Sequence, residues 1–294
     1  MDTTATDITP ALLRGWPLPM PTPDGDKEVR GHLLVIGGSR EMPGAILLAA
    51  TAALRAGAGK LTLATAASVA PQVAIAMPEA KVIALEETAH GGFRREAKDR
   101  LAPLAGKVSA VLVGPGMSDD AASCELMRNL LPVFANSRII IDACAMNVVC
   151  NPGNFRFAQP VLITPHAGEM AHLTRQSKEA ILADPQGAAL AAAQRWNAVV
   201  ALKGALTIIA TPDGQCWSHE GGNVGLAISG SGDTLAGIIT GLAARGAPLE
   251  QACAWGIALH ALAGEHLALR FGILGYLARE IPAEVPALLR HLAT

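Results

Sequence analysis

Six short runs recur through the first part of the chain: HLLVIG (32–37), KLTLAT (60–65), KVIALE (81–86), SAVLVG (109–114), RIIID (138–142) and VLITP (161–165). Each is apolar through its middle instead of alternating with polar residues, the pattern of strands buried on both faces. Helical patterns separate them, at Gly44–Ala56, in SVAPQVAIA (68–76), in RREAKDRLAPLA (94–105) and around Ala121–Phe134. Further on, PQGAALAAAQRWN (185–197) reads as a helix. AVVALKG, LTIIAT and GQCWS then read as three strands, the last two joined by the turn Pro212-Asp213-Gly214. From Asp233 onward the pattern is almost all helical. Strands alternating with helices predict an α/β fold, a central, mostly parallel sheet with helices on both faces.

Composition agrees. The chain is 51% hydrophobic but only 3% aromatic, so its core must be built from Ala, Leu, Val and Ile, which suit helices packed closely on a sheet. The 294 residues carry no Ser/Gly-rich linker, and the expected organisation is an irregular Pro- and Thr-rich lead-in over 1–30 followed by a single domain over 31–294. A net charge of −2 with a single Tyr gives no basic, aromatic-studded surface, which argues against nucleic-acid binding. The five cysteines are odd in number and contain no CxxC pair, so they read as reduced thiols of a cytoplasmic protein. Charged residues, His or Gly interrupt every long apolar run, and no membrane span is expected.

The chemistry concentrates in GNVGLAISGSGDTLAG (222–237). Glycines let backbone N–H groups converge on one acceptor, and a helix N-terminus adds partial positive charge. Ser229, Gly230, Ser231 and Gly232 are therefore expected to form an anion hole for a phosphoryl group, without help from any Lys. Asp233 has two readings, a helix N-cap or a general base beside the anion, and the loop alone weighs them evenly. No G-x-x-x-x-G-K-[ST] or G-x-S-x-G occurs, and the early loop VIGGSREMPGA lacks G-x-G-x-x-G spacing. GPGMS (114–118), DACAMN (142–147), TPHAGE (164–169) and KGALT (203–207) each follow a predicted strand, where open parallel sheets bind ligands. The pairs His260/His266 and His166/His172 are each six positions apart and form no metal pair.

Taken together, GGSREMPGAILLAATAALRAGAG, VLVGPGMS, LITPHAGEM, KGALT and GNVGLAISGSGDTLAGIITGLAARG resemble the ADP- or ATP-dependent NAD(P)H-hydrate dehydratases of the ribokinase-like superfamily, over about Gly31 to Ile281. The resemblance implies dehydration of hydrated NADH and NADPH, by phosphorylation of the aberrant ring hydroxyl and elimination of phosphate. It implies Asp233 as base, with Ala45, Gly116, His166 and Asp233 contacting the hydrated nucleotide. Lys203, Gly204, Ala205, Leu206, Thr207 and Gly232 would hold ADP or ATP, and Glu169 would organise Mg²⁺ through water. A separate epimerase partner, no fused epimerase domain and a homotetramer are further implications. The chain departs from the family's DADALN at Cys144 and Met146, and from the GGMGDV of some members at the glycine loop. The rival readings are a hydroxyethylthiazole or hydroxymethylpyrimidine kinase and a nucleotide-binding protein without turnover. His166, where such kinases commonly have Asn, favours the dehydratase.

Overall fold

A computed structural model of the chain describes residues 4–22, 24–118, 121–150 and 155–293. The first half contains β1 (Thr6–Asp7), α1 (Pro10–Gly15), β2 (His32–Ile36), α2 (Pro43–Arg55), β3 (Lys60–Ala66), α3 (Ala70–Ala76), β4 (Ala80–Leu85), α4 (Ala97–Leu101), β5 (Ala110–Val113), α5 (Ala121–Val133) and β6 (Arg138–Ile141). The second half contains β7 (Val161–Ile163), α6 (Ala167–Thr174), α7 (Lys178–Ala183), α8 (Pro185–Trp196), β8 (Ala198–Leu202), β9 (Leu206–Ala210), β10 (Cys216–Glu220), α9 (Ser231–Ala244), α10 (Leu249–Phe271) and α11 (Ile281–Ala293).

All ten strands join one sheet in the order β1-β10-β9-β8-β7-β6-β5-β2-β3-β4. Strands β2 to β8 pair in parallel, β9 runs antiparallel to both β8 and β10, and β1 pairs in parallel with β10. Both faces are covered, as the unbroken apolar runs require. In β2, Leu33 and Val35 face a core made with α2, α9, α10 and α11, while Leu34 and Ile36 face one made with α5, α6 and α8. Glycine permits the closest helix contact. A Cβ on Gly237 would stand 2.2 Å from the Ala49 carbonyl oxygen, and one on Gly241 2.4 Å from that of Ala53, so α9 lies backbone-on-backbone against α2.

Three local expectations are corrected. The lead-in is not irregular throughout: β1 pairs with β10, and α1 follows under a Thr9 cap. Trp16 then stacks on Trp217 at 5.7 Å, and its carbonyl accepts from the Trp255 indole N–H at 2.9 Å and the Gln251 amide at 3.0 Å. The helix expected over 94–105 is shorter, because Pro103 cannot donate to its ladder and a 3₁₀ turn (Ala102–Leu104) replaces its end. Behind TPHAGE lie two helices: α6, whose start falls at the TPHAGE loop where Glu169 offered a helix start, and α7, which periodicity did not disclose.

Candidate functional site

The polar loops predicted at strand ends do share one edge, the carboxyl edge of β2 and β5 to β8. Backbone bonds stitch them together: Gly114 N–H to Ile36 O at 3.1 Å, Asp142 N–H to Val113 O at 2.9 Å and Lys203 N–H to Pro165 O at 2.8 Å. Gly116 (φ +64°) has Met42 O and Ala45 Cβ within 2.4 and 2.8 Å of where its own Cβ would be, so Ala45 and Gly116 form one wall.

Lys203 stands at the centre of this edge. Its Nζ lies 3.4 Å from Asp142 Oδ1 and 3.9 Å from Glu169 Oε2. It also lies 3.5 Å from the position a Cβ on Gly232 would take. The expectation that the anion pocket works without a Lys is thus corrected: strand β8 delivers one to it. Asp142 is buried, follows β6 and receives the Thr164 hydroxyl at 2.6 Å. Ala143, directly after it, takes a left-handed φ of +51°, backbone strain of a kind that concentrates at functional sites.

Helix α9 begins at Gly230 (φ +86°), where a Cβ would meet Leu48 Cδ1 at 2.4 Å. Gly230 is the cap, which places Asp233 inside the first turn and removes the capping reading. Its carboxylate accepts no hydrogen bond among the described residues. Burial, then the charge of Asp142, push its pKa up to about 6 against the opposing pull of Lys203. The Gly230, Gly232 and Asp233 N–H groups take no partner among the described residues, the usual state of a helix start that awaits an anion. Ser231 differs from the expectation, since its N–H donates to Ile228 O at 3.2 Å. Its side chain turns inward, 3.0 Å from His260 Nε2, and that nitrogen also lies 3.2 Å from Ser231 O. Burial lowers the His260 pKa to about 4, so the ring is neutral when it braces the loop. Sequence spacing gave His260 no role, because only the fold brings it to Ser231.

His166 caps α6. Its Nδ1 accepts from Gly168 N–H at 3.0 Å and Glu169 N–H at 3.1 Å, and Glu169 Oε2 accepts from His166 N–H at 2.7 Å. With Nδ1 an acceptor, a neutral ring carries its proton on Nε2. A cavity of about 390 Å³ opens beside it, lined by Cys144, Asn147, His166, Glu169 and His172 among others. Cys144 is partly turned from it, donating to Met117 O at 3.2 Å. In KGALT, Thr207 is buried with its hydroxyl 3.1 Å from Gly204 O, while Ala205 and Leu206 are exposed at the β8–β9 turn.

Magnesium fits the donors present. Among the described residues no three His, Cys, Asp or Glu side chains gather into a metal cage. Among the described residues Glu169 Oε1 accepts no hydrogen bond, and a carboxylate oxygen of this kind suits an ion that retains most of its waters and binds chiefly through phosphates.

The sequence profile of the NAD(P)H-hydrate dehydratase family matches residues 33–287. The ADP-dependent (S)-NAD(P)H-hydrate dehydratase of Xanthomonas campestris pv. campestris is 47% identical over 285 residues, 97% of this chain and 96% of the relative. The bifunctional NAD(P)H-hydrate repair enzyme of Moorella thermoacetica is 39% identical over 94% of this chain, which spans only 52% of that longer protein. The ADP/ATP-dependent NAD(P)H-hydrate dehydratase of Bacillus subtilis, crystallised with ATP/Mg²⁺, superposes with a TM-score of 0.85 at 28% identity, covering 98% of this chain and 99% of that one. The fold is ribokinase-like, and the chain belongs to the NAD(P)H-hydrate dehydratase family.

Proposed function

We propose that the chain restores hydrated NADH and NADPH to the working cofactors at the expense of ADP, with residues 31–294 acting as one catalytic unit. One observation carries the reading: Asp233, a carboxylate with a pKa of about 6 and no hydrogen bond among the described residues, lies beside Lys203 in the first turn of a helix where the Gly230, Gly232 and Asp233 amides take no partner among those residues. The aberrant hydroxyl sits on the carbon next to the ring nitrogen. Asp233 takes the hydroxyl proton as its oxygen attacks the terminal phosphoryl group of ADP, and AMP leaves. The ring nitrogen lone pair then expels inorganic phosphate, and loss of a proton from the neighbouring ring carbon restores the double bond.

The amides of Gly230, Gly232 and Asp233, with the Lys203 ammonium, face the charge that develops on the transferred phosphoryl group. Asp142 and Glu169 hold Lys203 in place. The wall formed by Ala45 and Gly116, with the Nε2–H of His166, positions the hydrated nicotinamide nucleotide. The exposed turn from Gly204 to Leu206 seats the adenine nucleotide, with Thr207 fixing the turn from below. Magnesium, held through water at Glu169, would neutralise phosphate charge. An epimerase that interconverts the two hydrate epimers is the matching partner reaction, and the cytoplasm, where both cofactors are used, is the matching compartment.

The test is to incubate the protein with hydrated NADH, ADP and Mg²⁺ and to follow NADH absorbance. Return of absorbance with release of AMP and phosphate is expected. A stable phosphorylated product without NADH would make the chain a kinase instead, and no reaction with ADP or ATP would reject turnover altogether.

A further inference from the structure

At the opposite edge of the sheet the structure has a second cavity, of about 630 Å³, that shares no residue with the site above. It lies between α1, α10 and α11 and the far ends of α2 and α9, marked by Gly57 and Arg245. Its walls are apolar, with Leu13, Leu18, Trp255 and Leu289 prominent, and its volume is that of pockets that enclose a drug-sized molecule.

Its polar lining is of one sign: Arg14, Arg30, Arg245 and Arg290. Arg14, Arg30 and Arg245 form no ion pair among the described residues. Two of them are instead fixed by backbone carbonyls. Arg245 donates to Ala56 O at 3.0 Å and Pro19 O at 2.9 Å, and Arg30 donates to Gly57 O at 3.3 Å. Burial first, then repulsion from Arg30, lowers the Arg245 pKa. Arg245 is the partly buried member, and a guanidinium withdrawn from water beside another cation gains from a counter-charge, while Arg14 and Arg30 stand exposed at the rim. Guanidinium groups bind carboxylate and phosphate oxygens through charge-assisted, often bidentate, hydrogen bonds.

We propose that this cavity binds a small amphipathic anion, its carboxylate or phosphate head on the arginines and its apolar body against Trp255 and Leu289. The occupant is a single small molecule, because the cavity is a concave space between helices and not a flat face. It binds independently of the catalytic site, which lies at the other end of α2 and α9.

The probe is n-octyl phosphate, titrated calorimetrically into the full chain saturated with ADP and Mg²⁺, with inorganic phosphate and 1-octanol as the separate halves. Saturable binding is expected, at least tenfold tighter than either half. The exposed double variant Arg14→Gln/Arg30→Gln should weaken it at least tenfold while hydrated-NADH turnover stays unchanged. Leu289→Trp, which fills the cavity, should abolish it. Two results would overturn the proposal: no saturable binding to the ADP-saturated chain, or unchanged affinity in both variants. Sedimentation velocity covers the remaining case. Dissociation of an oligomer by the probe would make the natural occupant a second copy of this chain and reject the small-molecule site.

Discussion

Helices α6 and α9 both start at the carboxyl edge of the sheet, yet they treat their first turns in opposite ways. At α6 the chain satisfies its own amides, through His166 Nδ1 and the Glu169 carboxylate. At α9 the cap is a glycine with no side chain to offer, and the amides of Gly232 and Asp233 remain open. Two helices with similar surroundings therefore have different capacities for anions. The closed one presents an imidazole N–H to the adjoining cavity, and the open one presents a partial positive charge beside a cation and a base. A helix N-terminus becomes a phosphate site only where its own sequence declines to cap it.

The sharpest way to break this contrast is to remove the base from the open end. Asp233→Asn keeps the shape of the turn and abolishes proton acceptance, so kcat should fall about 10³-fold, within the range general bases supply. ADP affinity should change little, because the amides and Lys203 are untouched. Near-normal turnover by NADH absorbance would show that Asp233 does no proton transfer. The next largest effect comes from the cap. Gly230→Ala puts a Cβ at φ +86° and against Leu48, at a strain of about 1–2 kcal/mol, and turns the amides away from their common acceptor. The expected loss is roughly 10²-fold in kcat/KM for ADP, equivalent to about 2.7 kcal/mol, with hydrated-NADH binding affected less. Equal losses for both substrates would mean that the loop serves the fold and not the phosphate.

The contrast between the two helices was only half visible in the sequence. The glycine loop and the helix after it were legible, because Gly-Ser-Gly-Asp before an apolar run states both the tight turn and the buried helix. The parallel strands were legible for the same physical reason: burial on both faces leaves runs with no polar alternation. Helix α6 was legible only as a candidate helix start at Glu169, because it is short and its cap is a histidine, an uncommon capping residue. Lys203 was assigned to the nucleotide but not to the anion pocket, since it lies 61 positions from Asp142 and only the order of β6, β7 and β8 brings them together. The N-terminal strand escaped because its Pro- and Thr-rich neighbours conceal a docking that depends on Trp217 and Trp255, more than two hundred residues away.

A pH series sharpens the comparison further, because the carboxylate in the first turn of the open end is pushed up to about 6. Asp233 must be ionised to accept a proton, so kcat/KM should fall tenfold per unit below about pH 6 and be flat above it on the acid side of the profile. Stability follows the opposite sign. The folded chain holds this proton more tightly than the unfolded chain, so the stabilisation is complete below the ordinary aspartate value and is lost as pH rises through about 6. Asp233→Asn should therefore be more stable than the parent at pH 8, by on the order of 2 kcal/mol, and no more stable at pH 3. Denaturant titrations at the two pH values check the difference. A constant gap would locate the effect in packing and not in charge.

The smallest effect belongs to the closed end. Glu169→Gln retains a side-chain oxygen that can accept from His166 N–H, but it exchanges a charged acceptor for a neutral one and removes the negative partner 3.9 Å from Lys203. Caps of this kind contribute about 1 kcal/mol, and in a chain of this length that corresponds to roughly 2–4 °C in Tm. Glu169→Ala, which abolishes the capping bond, should cost the full amount, and Glu169→Gln only part of it. If Glu169 does no more than close the cap, kcat should track those small stability losses. If it also organises Mg²⁺, both variants should raise the Mg²⁺ concentration needed for half-maximal turnover by a similar factor, although their stabilities differ. Measuring Tm and Mg²⁺ dependence in parallel separates the structural role of α6 from a share in phosphate chemistry. A Mg²⁺ requirement unchanged in both variants would leave the open end of α9 alone as the phosphate-handling helix.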